Sequence, residues 1–187
     1  MSTKVSPQIK ATVEDLYSVP EHGKAELING KVVRFMATGF LPNRAASRVW
    51  RSLDDFEQAQ GGGVAVNDNA AFIVDLPHRG SFSPDAAWFT GALPGMKFFD
   101  GAPVFAVEVR SEGDYGEAAE KEMAAKRRDY FDTGTLVVWD VDLVGEEVVR
   151  VYRADDPEHP TVYRRGEIAE AEPAVPGWRF PVDELFR

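Results

Sequence analysis

The chain contains no cysteine. That absence excludes disulfides, thiolate metal sites and cysteine nucleophiles, and leaves oxygen and imidazole as the donors for any metal. It also fits a reducing, cytoplasmic setting, as does an N-terminal segment with no apolar core followed by a small-residue cleavage site. Long hydrophobic runs are missing too. The stretches 103–107 and 136–139 have the length of strands and fall far short of the roughly 20 residues that span a bilayer. Positive charge is scarce, with 21 Lys and Arg against 31 Asp and Glu and a formal net charge of −10. Coating nucleic acid electrostatically is therefore disfavoured, although an enzyme can gather its acids around a metal that then supplies the local positive charge. A glycine-rich phosphate loop is also absent: Gly61, Gly62 and Gly63 follow a helical stretch instead of opening one, and no Lys-Ser/Thr pair comes after them.

What is present suffices for one domain across residues 1–187, with 44% hydrophobic content to build its core. Thr12 ahead of acids at 14 and 15 predicts a helix start, which Pro20 ends. Two β-prone runs within 25–34 are split by Asn29-Gly30, the pair that a tight hairpin favours because both turn positions need positive φ. Ala46, Val49, Trp50, Leu53 and Phe56 follow the three-and-four rhythm of a helix over 43–60, stopped by Gly61. Residues 64–66, 70–74 and 84–89 read as strands, the last opened by Pro84. The run 103–109 is almost wholly apolar, as a central strand would be, until Glu108 and Arg110 appear at its end. Asp114 is placed to cap a helix running to Thr133, with Gly134 as its left-handed stop. Residues 135–142 form another buried strand, and 147–152, 161–164 and 177–180 read as an antiparallel meander. This order predicts an α/β or α+β fold, a sheet with helices packed on it.

Three carboxylates fall where burial makes charge costly: Glu26 in a strand, Asp85 at a strand start and Glu108 near the end of the apolar strand. Hard oxygen donors without a suitably spaced histidine pair favour Mg²⁺ or Mn²⁺ over zinc. Ala119, Met123, Lys126 and Tyr130 share one helical face, so Lys126 lies in an apolar stripe where its ammonium needs an anion such as Glu108 or a bound phosphate. Plainer readings stand beside these. Glu108 can be an acid paired with Arg110 or Lys126, Asp85 a turn acid after proline, and Glu26 an edge-strand charge. Lys126 can pair with Glu122 on the surface, a contact of only about 0.3–0.5 kcal/mol. His22, His78 and His159 lie in Pro- and Gly-rich loops and read as exposed bystanders; Trp50, Trp88, Trp139 and Trp178 read as packing, and Ser111 as a turn or capping hydroxyl.

The segments 26–33 (Glu-Leu-Ile-Asn-Gly-Lys-Val-Val), 84–89 (Pro-Asp-Ala-Ala-Trp-Phe), 105–111 (Phe-Ala-Val-Glu-Val-Arg-Ser) with Asp114, and 126–130 followed by Gly134 and 137–142 occur in that order and spacing. Together they resemble the successive blocks of the Uma2 family, within the PD-(D/E)XK superfamily, over about residues 16–186. The resemblance implies a restriction-endonuclease-like mixed β-sheet flanked by α-helices, with the meander as an addition. It implies an endonuclease that hydrolyses phosphodiester bonds in DNA, Asp85 and Glu108 as the metal pair, and Glu26 as an additional acid. Two positions depart from the family pattern: the residue two after the glutamate is Arg110, not lysine, and a histidine expected near Asn43 or Arg44 is absent. Arg110 stays protonated and can stabilise charge but not act as a base, so Lys126 is the candidate for the lysine role, as base or charge stabiliser. The rival expectation is an inactive fold-mate that binds nucleic acid or protein. A homodimer is compatible with either.

Overall fold

The computed structural model describes residues 10–19 and 23–187. Helix α1 (Val13–Tyr17) starts as its sequence predicts, with the Thr12 hydroxyl accepting from the Asp15 N–H and the Asp15 carboxylate accepting from the Thr12 N–H. Pro20 and His22 lie outside the described residues. The hairpin of β1 (Ala25–Ile28) and β2 (Lys31–Arg34) turns at Asn29 (φ 50°) and Gly30 (φ 70°), the two positive values that a two-residue turn requires. β1 is not at an edge: it lies between β2 and β5 (Arg79–Phe82) in a five-stranded sheet ordered β2-β1-β5-β4-β7, which β4 (Phe72–Leu76) and β7 (Phe99–Asp100) complete. Strands β5 and β7 were not foreseen. β5 holds Arg79, Gly80 and Ser81, which carry little strand propensity, and it is stabilised by pairing: the Ser81 hydroxyl accepts the Leu27 N–H at 2.8 Å.

The second sheet is six-stranded, ordered β11-β10-β9-β8-β6-β3. It comprises β3 (Val64–Asn67), β6 (Ala86–Phe89), β8 (Phe105–Val109), β9 (Val137–Val141), β10 (Val149–Arg153) and β11 (Asp156–Tyr163). Among the described residues its only parallel pair is β8 with β9, and their crossover is α3 (Glu117–Asp132); the other pairs are antiparallel. The expected C-terminal meander is divided. β10 and β11 extend this sheet, whereas β12 (Ile168–Glu170) and β13 (Arg179–Pro181) form a separate ribbon before a short 3-10 helix, Val182–Phe186.

Strand alternation sorts the side chains of this sheet onto two faces. One face carries Phe105, Val107, Val109, Trp139 and Val141 against Ala45, Ala46, Val49 and Leu53 of α2 (Phe40–Gln60), with Trp178 closing the core. The opposite face carries Ala87, Phe89, Ala106 and Val138 against Phe72 and Phe82 of the five-stranded sheet and Tyr130 of α3. Helix α3 begins later than expected. Gly116 precedes it without a side-chain cap, while the Asp114 carboxylate accepts the Ser111 N–H at 2.7 Å and closes a turn instead. Gly134 (φ 102°) ends it as predicted. The architecture is thus the expected mixed α+β fold. Among the described residues no helix is long and apolar enough to cross a membrane.

Candidate active site

Along β8 the side chains on the α3 face read Ala106, then Glu108, with Arg110 just beyond the strand. The apolar row therefore gives way to charge where the strand ends. There it meets α3, the start of β6 and β1 around a cavity of about 390 Å³ lined by Lys24, Glu26, Asp85, Glu108, Lys126 and Tyr130 among others. Asp85 is fixed to β8 on both sides of Glu108: its N–H donates to the Val107 carbonyl at 2.9 Å and its Oδ2 accepts the Val109 N–H at 2.7 Å. These bonds hold the two acids together at the mouth of the sheet.

Glu108 Oε1 accepts the Tyr130 hydroxyl at 2.7 Å and lies 2.8 Å from Lys126 Nζ. Burial raises the Glu108 pKa, Lys126 partly offsets this, and the charge on Asp85 adds to the rise. For Lys126, burial alone would lower the pKa, but Glu108 and then Glu26 outweigh it and the net shift is upward. Lys126 is therefore an ammonium at neutral pH. Its predicted inward face is observed, with Glu108 and Glu26 as partners instead of Glu122. Tyr130, stacked on Phe82 at 4.0 Å, has its pKa pushed well up by burial and then by Glu108, so its hydroxyl remains a donor.

The structure brings Glu26, Asp85, Glu108 and Lys126 to one cavity, with Glu26 the most enclosed of the three acids. It is 1% exposed and receives Arg79 Nη1 at 2.6 Å and the Ser83 N–H at 3.0 Å, with Lys126 Nζ 3.1 Å away. Both of its oxygens accept hydrogen bonds, and Oε1 also faces the Lys126 ammonium. Arg110 lines the same cavity with four of its five N–H donors engaged: it forks onto Asp140 at 2.7 and 2.8 Å and also binds Glu120, the hydrogen bond to Asp140 being the main reason its pKa is raised. The flanking bases divide. Arg127 pairs with Asp140 at 3.3 Å and stacks on Tyr152, while Arg128 is exposed.

Three participants were not singled out from sequence. Lys24 Nζ lies 2.6 Å from Asp85 Oδ1; its position was readable, since it is two residues before Glu26 and shares that face of the strand. Arg79 bridges Glu26 and Asp129 from an unforeseen strand, a pairing with no local sequence signal. Asp129 also binds His78 Nε2 at 2.7 Å, and the His78 side chain is half-exposed; His159, paired with Asp156, is exposed on β11.

The described residues contain no cluster of three or more His, Cys, Asp or Glu arranged for a metal ion. Asp85 and Glu108 nevertheless fit an ion of the magnesium type, which takes one or two carboxylates and keeps several waters. Each acid already carries a cationic group within 2.8 Å, so both accept positive charge at this spot.

Comparison with known proteins bears on this arrangement. The model of the family described as "Uma2: Putative restriction endonuclease" matches residues 12–183. The chain belongs to the Uma2 family. A crystal structure of a "putative nuclease belonging to DUF820" from Anabaena variabilis ATCC 29413 superimposes with a TM-score of 0.72 at 18% identity, covering 94% of this chain and 97% of that one. At that identity the likeness speaks to the fold, which this Uma2 protein shares over nearly its whole length. No curated protein matches it.

Proposed function

We propose that this Uma2 protein is a single-domain, divalent-metal-dependent endonuclease that hydrolyses phosphodiester bonds in DNA. The observation that carries the reading is the junction of β6 and β8, where Asp85 and Glu108 share one cavity with a lysine ammonium held between two carboxylates. Mg²⁺ or Mn²⁺ held by Asp85 and Glu108 would supply Lewis-acid charge that activates water and neutralises the phosphate. Lys126, charged at neutral pH and anchored by buried Glu26, donates hydrogen bonds to the phosphate oxygens and stabilises the charge that grows there. Its raised pKa argues for this role over that of general base. Arg110 stiffens the end of β8 through Asp140 and Glu120, which supports Lys126 as the holder of the lysine role. Tyr130 orients Glu108 through its hydroxyl.

One observation favours the inactive fold-mate: both candidate ligands are neutralised by the chain's own lysines, so the acids are stable without any ion. The experiment that separates the readings is Mn²⁺ calorimetry with plasmid and single-stranded DNA cleavage on the same preparations of wild type, Asp85→Asn and Glu108→Gln. Metal binding and cleavage lost together in folded variants support the nuclease. A wild type that binds no metal and cuts nothing leaves the acids as structure.

A further inference from the structure

The cation nearest Asp85 is part of the chain. Lys24 Nζ sits 2.6 Å from Asp85 Oδ1 and 2.8 Å from Asp68 Oδ1, so one ammonium bridges an acid at the start of β6 and an acid in the turn after β3. The two acids differ in setting. Asp85 is the more buried, its side chain 13% exposed and its Oδ2 fixed by the Val109 N–H, whereas the Asp68 side chain is 35% exposed. Lys126 repeats the pattern, touching the candidate ligand Glu108 and the reserve acid Glu26. A second cation cannot settle on Asp85 Oδ1 while an ammonium occupies it, because the like charges would meet at contact distance. The flexible four-carbon stem of lysine allows Nζ to leave one carboxylate while keeping the other. Asp68 is already within hydrogen-bond distance, so Lys24 need not become unpaired in leaving.

We propose that Lys24 is a displaceable internal counter-ion, which neutralises Asp85 in the metal-free protein and passes wholly to Asp68 when a divalent cation takes Asp85. The Lys24–Asp68 pair then sets the divalent-ion affinity of the site. Lys24 is a positioning residue in this scheme, and the inference rests on the reading of Asp85 as a metal ligand.

The test is calorimetric titration of Mn²⁺ into the full chain as wild type, Lys24→Met, Asp68→Asn and the double variant. Lys24→Met is expected to tighten Mn²⁺ binding by about tenfold, as loss of a close charge pair implies. Asp68→Asn alone is expected to weaken binding, and to have little effect once Lys24 is gone. Equal weakening by Asp68→Asn in both backgrounds would reduce Asp68 to a distant negative charge and overturn the handover. Unchanged affinity in Lys24→Met overturns it as well. If Lys24→Met fails to fold, Asp68→Asn carries the test alone at its more exposed turn, where an unaltered affinity in a normally melting protein overturns the proposal. Absence of Mn²⁺ binding in every variant removes the metal-site reading itself. Binding that Asp85→Asn abolishes, but that the Lys24 and Asp68 variants leave unchanged, removes only the handover.

Discussion

The two faces of the six-stranded sheet are built from alternate residues of the same strands, yet they solve burial in different ways. Toward α2, Phe105, Val107, Val109, Trp139 and Trp178 make an apolar layer, with Phe105 and Trp139 ring centroids 5.4 Å apart in an edge-on contact. Toward α3, the apolar residues run out after Ala106 and Val138, and an ionic lattice takes over. It runs from His78 through Asp129, Arg79, Glu26 and Lys126 to Glu108, with Asp140 and Arg110 beside it. Apolar packing stabilises at little cost in specificity, whereas a buried ion lattice must be completed everywhere to break even. A protein that retains such a lattice at one sheet end holds charged groups there in fixed positions, as a reaction on a charged substrate requires. On the proposed function, the first face would serve stability and the second the chemistry.

That division can be broken. Asp85→Asn or Glu108→Gln should lower DNA cleavage by about a hundred- to a thousandfold, the scale of losing a directly placed electrostatic group, while the thermal melt moves little. A melt that collapses with the activity would mean that these acids serve the fold. On the other face, Trp139→Ala should cost about 3–5 kcal/mol in chemical denaturation by leaving a large cavity, with Mn²⁺ affinity of the folded fraction unchanged. Arg79→Met sharpens the boundary. It should cost about 3 kcal/mol, because Glu26 and Asp129 both lose their shared arginine partner, and unlike Trp139→Ala it should also loosen Lys126 and weaken cleavage. A variant that lost stability but kept full activity would detach the lattice from the site.

Smaller effects test the periphery of both faces. Gly30→Ala should destabilise by about 1 kcal/mol in urea titration, since φ 70° is strained for a residue with a Cβ. Asp142, which does not line the cavity, supplies a pH handle. Burial alone would raise its pKa, but the Val144 and Gly145 N–H groups and the Tyr115 hydroxyl outweigh that and hold it below the usual carboxylate range. A depressed folded pKa means stability that is present above the unfolded value and lost as pH falls through the folded one. Urea midpoints measured downward from pH 5 should therefore fall less steeply in Asp142→Asn than in wild type, and identical slopes would show that the carboxylate contributes nothing.

Much was legible in the chain because it depends on neighbours in sequence. The Thr12 cap, the Asn29-Gly30 turn, the apolar rhythm of α2 and the uniform run of β8 are short-range matters of dihedral preference and periodicity, and each lies where expected. Glu108 and Lys126 were readable for the same reason, as charges interrupting an apolar strand and an apolar helical stripe. Asp114 was misjudged because turn closure and helix capping compete for the same carboxylate, and the local sequence suits both. Strand β5 was missed because Arg79, Gly80 and Ser81 become a strand only through partners in β1 and β4. The roles within the site depend on longer distances still. That Arg110 is consumed by Asp140 and Glu120, that Glu26 is filled by Arg79 and Ser83, and that Lys24 lies between Asp85 and Asp68 are pairings across up to 61 positions of chain. Composition and periodicity determined which residues would be buried and which charges would need partners. Only the tertiary structure decided which partner each charge received, because ion pairing falls off within a few ångströms and sequence does not record that distance.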